Sequence, residues 1–350
     1  MRLGLPAGRG GDLAELPLLE PERRSGLILQ WRRYPFPIAW DAQFGAAQAA
    51  DLHLEIGFGD GRYTLSSARR QPMAAFVGME ISSASLLRAY RRIAAAGPSN
   101  VRLLKVGARF GLRHLFGPAT LGSITVNFPD PWPKHRHAKH RLLKRSFFEL
   151  AAARLVRGGR IKLATDHGDY LDFAKREAEA SGLYQVEQAP VPEEVERTKY
   201  ALKWRSQGRR LYYQVFTCQG GPAVPSIPIL ERDVPMPHAL LSGTLPERPE
   251  FGKQVVSYAD GHVVVHELSR VVASDKGERE RWLLRATVQE PDLRQQVLVS
   301  VTNRGHAELI VQIEPFGDPV LTSTTRGAVH AVAEWLLAQE TVSSVTRRAY

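Results

Sequence analysis

Glu55-Ile56-Gly57-Phe58-Gly59-Asp60-Gly61 is the first segment of the chain whose residue types and spacing can do chemistry. Glycines at alternate positions let a backbone turn tightly and approach a ligand without interference from a Cβ. An apolar run precedes them and helix-compatible residues follow, the context in which such a loop cradles a nucleotide-like ligand. The spacing is G-x-G-x-G rather than the G-x-G-x-x-G of a pyrophosphate cradle. Glu55 inside the motif would repel a diphosphate and attract a cation. S-adenosylmethionine carries an ammonium and a sulfonium and no phosphate, so the spacing and the acid favour it over a dinucleotide. Glu80 ends the next apolar run about twenty residues on, where a carboxylate can accept hydrogen bonds from both hydroxyls of a ribose.

The second such segment runs from Asn127 to Arg141, NFPDPWPKHRHAKHR. Pro129 and Pro131 bracket Asp130 and restrict its backbone. A rigidly held carboxylate beside Trp132 suits a pocket for a base. Lys134, Arg136, Lys139, Arg141, Lys144 and Arg145 follow with no acid before Glu149, the local excess that phosphate contacts need. His135, His137 and His140 have no Cys, Asp or Glu nearby to complete a zinc site, and their basic neighbours oppose a cation. No metal site is expected, and the strip reads as facing phosphate or solvent.

Both segments need a scaffold that sets them side by side. Strand-like runs LHLEI (52–56), FVGME (76–80), VRLLK (101–105), SITVNF (123–128), IKLAT (161–165) and YYQVF (212–216) alternate with helical stretches at 64–70, 82–96, 145–156 and 169–180. Ser82 or Ser83 is placed to cap the second helix, and Ser181-Gly182 to end the last. Such alternation predicts βαβ units and an open, mostly parallel sheet whose ligands bind beyond the carboxyl ends of the strands. Before it lies an arm, 1–45, in which Trp31, Arg32, Arg33, Tyr34, Phe36 and Trp40 form a surface strap in preference to a base-stacking platform. Residues 46–218 form the α/β domain, and proline-rich 219–250 reads as a linker. Residues 251–350 read as a small α+β domain with hairpin turns at Asp260-Gly261 and Arg304-Gly305 and a closing helix over 328–338, and no catalytic constellation is found in it.

Charge agrees with this division. The chain has 350 residues and a formal net charge of +11. Residues 1–218 hold 34 of the 47 Lys and Arg against 20 of the 36 Asp and Glu, so the remainder is slightly acidic. A basic first part implies a polyanionic partner. One cysteine, Cys218, excludes an internal disulfide and a cysteine-based zinc cluster, and fits a reducing compartment. No apolar run reaches the roughly 18–20 residues of a membrane span, and the amino terminus lacks the apolar core of a secretory signal. A cytoplasmic protein with no membrane and no disulfide-linked partner is expected.

EIGFGDG, GMEIS, NFPDPWPKHRHAKHR, LATD (163–166) and RTKYALKW (197–204), in this order, resemble the tRNA (guanine-N7-)-methyltransferase family over about residues 50–217. NFPDPWPK followed by basic residues is the specific element, since other amino-methyltransferases carry a shorter Asn/Asp-Pro-Pro-aromatic element there. The resemblance implies a Rossmann-like class I methyltransferase fold and transfer of a methyl group from S-adenosylmethionine to N7 of guanine at tRNA position 46. It implies cofactor contacts from Glu55, Gly57, Gly59, Gly61, Glu80, Ile81, Gly107, Asn127 and Asp130, with Asp130 also the catalytic residue. It implies substrate contacts from Lys134, Asp166, Thr198 and Lys199, and RNA contacts from Arg136, His137, Lys139, His140 and Arg141. Two positions depart from the family pattern: an Asp expected after the third strand to meet the adenine amine is replaced within Lys105-Val106-Gly107-Ala108-Arg109, and Ala201 stands where a Glu closes the Thr-x-aromatic-Glu element.

Guanine N7 has a free lone pair, so no proton need leave it and no general base is obligatory; the expected role of Asp130 is positioning and charge stabilisation. Other readings are an rRNA methyltransferase, against which the Pro-Asp-Pro-Trp element argues, and a tRNA-binding protein whose pocket has eroded at Gly107 and Ala201. A nicotinamide oxidoreductase is disfavoured by the loop spacing and Glu55. Oligomeric state, monomer or homodimer, is not read from the sequence.

Overall fold

The computed structural model describes residues 26–231, 234–272 and 280–350. In its first half, β1 (Leu52–Ile56), β2 (Ala75–Glu80), β3 (Val101–Lys105), β4 (Leu121–Asn127), β5 (Leu155–Thr165), β6 (Tyr184–Gln188) and β7 (Tyr212–Cys218) form one sheet in the order β3-β2-β1-β4-β5-β7-β6. Only β7 runs against its neighbours. This is the expected Rossmann-like class I methyltransferase sheet. The chain reverses its strand order between β1 and β4, which opens a crevice at their carboxyl ends.

The central strands are nearly continuous runs of buried residues because helices cover both faces. Leu65, Ala68, Ala89 and Ile93, from helices Arg62–Arg70 and Ser83–Ala96, pack with Phe76 and Leu103 on one face. Phe110, Phe147, Phe148, Tyr170 and Leu171, from helices Ala108–His114, Arg145–Ala152 and Gly168–Ser181, pack with Val77, Met79 and Val126 on the other. Ser82 caps its helix as expected, its hydroxyl accepting from the Ser85 N–H at 3.3 Å.

The arm is described from Gly26. Leu29 N–H donates to Leu103 O at 3.0 Å and Leu103 N–H to Leu27 O at 2.7 Å, extending the sheet at the β3 edge. Trp31 is buried against Phe36 and Phe110, and its indole N–H donates to Lys105 O at 2.9 Å. Its ring is part of the core and offers no face to a base.

Four boundaries differ from expectation. The helix expected over 145–156 stops at Ala152, and β5 begins at Leu155, which pairs with Leu121; Gly158, in the left-handed region at φ +77°, lies within the strand. The linker expected over 219–250 contains β8 (His238–Gly243), because Ala239 and Leu241 alternate inward between flanking prolines, too short a run to stand out. The second hairpin turns on His306-Ala307, both near φ +53°, two positions past Arg304-Gly305; the first turns on Ala259-Asp260 between paired Tyr258 and Gly261, one position before Asp260-Gly261.

The second sheet is wholly antiparallel. It adds β9 (Gln254–Tyr258), β10 (Gly261–Arg270), β11 (Arg281–Gln289), β12 (Arg294–Gly305), β13 (Glu308–Ile313) and β14 (Val342–Ala349), in the order β14-β8-β13-β12-β11-β10-β9. One helix, Ser323–Leu337, buries Ala328, Val329, Val332 and Leu336 on one face against Leu241, Val265, Leu284 and Val299. Among the described residues no helix is long and apolar enough to cross a membrane.

Candidate active site

The glycine loop leaves the end of β1 and doubles back into helix Arg62–Arg70. Gly57, Gly59 and Gly61 all take φ between +57° and +75°. The loop is pinned from outside by Gly57 N–H donating to Met79 O at 2.8 Å, and by Asp60, which sequence reasoning passed over. Its carboxylate bridges Arg62 at 3.0 Å and Arg92 at 3.1 Å, tying the loop to the helix that follows β2. Glu80, at the end of β2, accepts from Gly59 N–H at 3.2 Å, Ile81 N–H at 2.8 Å and Ser82 N–H at 3.0 Å. Glu80 thus holds the loop from the neighbouring strand.

Glu55 is buried beneath it. One carboxylate oxygen accepts from the Thr64 hydroxyl, the other from the Asn127 amide at 3.3 Å. Burial pushes its pKa up to about 7, an effect that the hydrogen bonds from Thr64 and Asn127 oppose and the nearby Asp60 and Glu80 charges reinforce. Oδ1 of Asn127 is itself buried and accepts from no described residue. An unpaired acceptor next to a buried acid is a receptor for an ammonium donor. Glu55 and Asn127 both line a cavity whose walls include Gly57, Gly59, Phe128, Thr198, Lys199 and Tyr200.

Phe128 follows Asn127 at φ +52°, and Trp132 sits at φ +43°. Bulky residues in that region are strained and concentrate at functional loops. Between them Asp130 is exposed to solvent, two residues beyond Phe128 of the cavity wall. Lys134, Arg136, Lys139 and His140 are exposed, and His137 half-buried against the Trp132 ring, on a short 3-10 turn, His135–His140. Arg141, expected among the RNA contacts, is turned inward instead. Its guanidinium donates to Pro131 O at 3.0 Å and Trp132 O at 3.3 Å and lies over the Phe173 ring, so it holds the Asp130 loop in shape.

Two expected substrate contacts are also engaged within the protein. Asp166, at the end of β5, pairs with Arg209 at 2.6 Å, and Arg209 lies over the Trp204 ring at 4.2 Å. Thr198 is buried as the cap of helix Lys199–Ser206, accepting from Ala201 N–H at 3.3 Å and donating to Val195 O at 2.7 Å. The cap requires no Glu at position 201, and Ala201 is fully buried. Lys199 does line the cavity, and Tyr200, next to it, was not anticipated. Gly107 and Ile81 lie apart from it, at the ends of β3 and β2, beside a second cleft. Among the described residues no group of His, Cys, Asp or Glu has a metal-holding arrangement.

Comparison with known proteins gives this geometry a family. A family model described as "Putative methyltransferase" matches residues 49–214. A tRNA (guanine-N(7)-)-methyltransferase of Thermus thermophilus is 40% identical over 310 residues, covering 89% of this chain and 96% of that one. The chain belongs to the tRNA (guanine-N(7)-)-methyltransferase family. Two further members agree: that of Deinococcus radiodurans is 40% identical over 85% of this chain and 92% of its own, and that of Thermotoga maritima 30% identical over 87% and 94%. The matches extend well past the α/β domain, so the antiparallel domain is shared with these members of the family.

Proposed function

We propose that this protein transfers a methyl group from S-adenosylmethionine to N7 of a guanine in tRNA, the guanine at position 46 being the target that the family resemblance implies. The observation that carries this reading is that buried Glu55, Gly57, Gly59 and Asn127-Phe128, which lead into the Asp130 loop, line one crevice, with Glu80 holding Gly59 N–H from the next strand, in a chain related over most of its length to enzymes of that name. The site fits the methyl donor: an acid and an unpaired amide oxygen for its ammonium, a carboxylate for its ribose, and a glycine loop that admits it closely.

Bound there, S-adenosylmethionine supplies a methyl group on a sulfonium, activated for direct transfer. The protein's residues bind, orient and balance charge. Glu55 and Asn127 hold the ammonium, and Glu80 exchanges part of its backbone bonding for the ribose hydroxyls. Asp130, rigid between two prolines, faces the guanine, whose ring gains positive charge as N7 is alkylated. Lys134 and Lys199 guide the nucleotide, while Asp166 orients Arg209 over Trp204. Arg136, His137, Lys139 and His140 carry the adjoining backbone.

Incubation with tRNA and S-adenosylmethionine, followed by nucleoside analysis, should yield 7-methylguanosine. Methylation of rRNA but not tRNA, or of another atom, would overturn the reading.

Glu55 makes cofactor binding depend on pH. Its raised pKa, about 7 in the free protein, must fall when a cation is held beside it, since the cation favours the carboxylate. Below that pH binding therefore expels a proton, and affinity should rise with pH up to about 7 and level off above it. Calorimetry at acid pH in buffers of unlike ionisation enthalpy should register the proton, and Glu55→Gln should abolish it. An affinity indifferent to pH between about 5.5 and 8 would remove Glu55 from the site.

For the basic strip, Arg136→Ala with Lys139→Ala should weaken tRNA binding and reduce the slope of log K against log salt by about 0.7–0.9 per lost phosphate contact. An unchanged slope would place the RNA backbone elsewhere. Arg141→Ala should instead destabilise the Asp130 loop.

A further inference from the structure

Gly107 removes the side chain expected to meet the adenine amine, yet its backbone does not demand glycine: φ −68° and ψ 143° suit any residue. The nearest atom to a Cβ built there would be the carbonyl oxygen of Asp292, at 3.8 Å. Asp292 belongs to the turn joining β11 and β12, in the antiparallel domain. That turn is seated on the α/β domain. Leu293 is buried in the α/β domain's core, Arg109 approaches Asp292 at 3.9 Å, Arg32 donates to Gln295 at 3.1 Å, and Arg33 pairs with Asp318 at 3.0 Å.

Between the turn and the ends of β2 and β3 lies an open cleft of about 450 Å3, walled by Ile81, Val106 and Gly107 on one side and Asp292, Leu293 and Arg294 on the other. It adjoins Glu80, whose carbonyl accepts from Val106 N–H at 3.2 Å. The cleft begins at Ile81, the residue after Glu80, within reach of the base of a ribose held by that carboxylate. Ile81 stands 73% exposed at its mouth, an apolar surface of the kind a flat base covers. Oδ1 of Asp292 accepts a hydrogen bond from no described residue, and Arg109 Nη1, at 3.9 Å, pairs with it by charge from beyond hydrogen-bond reach. An acceptor with charge balance but no hydrogen-bond donor matches an exocyclic amine.

We propose that the β11–β12 turn of the antiparallel domain closes the base end of the cofactor site, with Asp292 accepting the exocyclic amine of adenine in place of a side chain at Gly107. The inference rests on the reading of this crevice as an S-adenosylmethionine site. It gives the antiparallel domain a part in cofactor recognition: the domain carries the acid and the wall that the α/β domain lacks.

The test is a binding measurement on the full chain. S-adenosylhomocysteine is compared with S-inosylhomocysteine, in which a carbonyl replaces the amine. The wild type should prefer the amine-bearing ligand by about ten-fold or more, the worth of a hydrogen bond to a charged group. Asp292→Ala should bring that ratio close to one. Glu80→Ala should weaken both ligands and leave the ratio standing. Because each ratio is taken within one protein, an unfolded fraction lowers both signals alike and does not mimic the effect. Asp292→Asn, which keeps an acceptor and loses the charge, should fall between. Tight binding of S-adenosylhomocysteine with a ratio unaffected by Asp292→Ala would overturn the inference and leave the function standing. No binding of S-adenosylhomocysteine by the wild type would overturn both.

Discussion

Replacing Asp130 by alanine is expected to lower the rate of methyl transfer to tRNA about 10²-fold or more, with cofactor and tRNA affinities changed only a few-fold. The split follows from where the charge moves. N7 attacks with a lone pair it already has, so no proton is taken from it, and the guanine ring becomes cationic as the bond to carbon forms. A carboxylate near that ring stabilises the product-like charge far more than the neutral base it first meets. Asp130 is exposed between two prolines, two residues beyond Phe128 of the crevice wall, and Arg141 fastens the backbone around it through Pro131 O and Trp132 O. Asn at position 130 keeps the shape and loses the charge, so most of the defect should persist in Asp130→Asn. Single-turnover rates at saturating tRNA isolate the step. A rate within a few-fold of wild type in both variants would remove Asp130 from the chemistry, and a defect confined to KM would make it an RNA contact.

What the sequence made legible was local. The glycine loop, Glu55, Glu80 and Asp130 each sit at the end of a strand whose apolar run is plain, and a parallel sheet gathers strand ends by construction. What it hid depended on neighbours far along the chain. Helix Ala108–His114 carries little helical signal, with glycines at 107 and 111. Gly111 is there because Met79 Sδ lies 2.3 Å from where its Cβ would stand, a packing demand from another strand. The strand at 238–243 was masked by its prolines, although it is an interior strand of its sheet, between β14 and β13.

Charge was the least reliable guide to role. Arg141 belongs to the basic strip by composition, yet its guanidinium is spent on backbone carbonyls and aromatic faces. Asp166 looks available at a strand end, yet Arg209, 43 positions on, holds it. Asp292 shows the converse: an acid with no motif around it in the sequence becomes notable only because folding sets it over Gly107.

Gly61→Val should be the most damaging single change in the loop, and comparison with Gly57→Val separates its causes. Both glycines lie near φ +75°, so a side chain at either costs about 1–2 kcal/mol of backbone strain. Around Gly57 a Cβ meets nothing within 4 Å, whereas at Gly61 it would lie 2.8 Å from Ala89 Cβ and 3.1 Å from Ala89 Cα. The second contact is main chain and cannot swing aside, which adds about 1–3 kcal/mol of overpacking. Gly61→Val should therefore lose about 2–5 kcal/mol in all, a large share of the ~5–15 kcal/mol that holds a typical domain together. The damage reaches function through Glu80. Relief of the clash drives the loop away from helix Ser83–Ala96, and the 3.2 Å bond from Gly59 N–H to Glu80 lengthens with it. Thermal unfolding should then show Gly61→Val well below Gly57→Val, and S-adenosylhomocysteine affinity should fall further in the former even at temperatures where both are folded. Equal losses in the two variants would mean that contact with Ala89 does not set the position of the loop, and that backbone conformation alone requires the glycines.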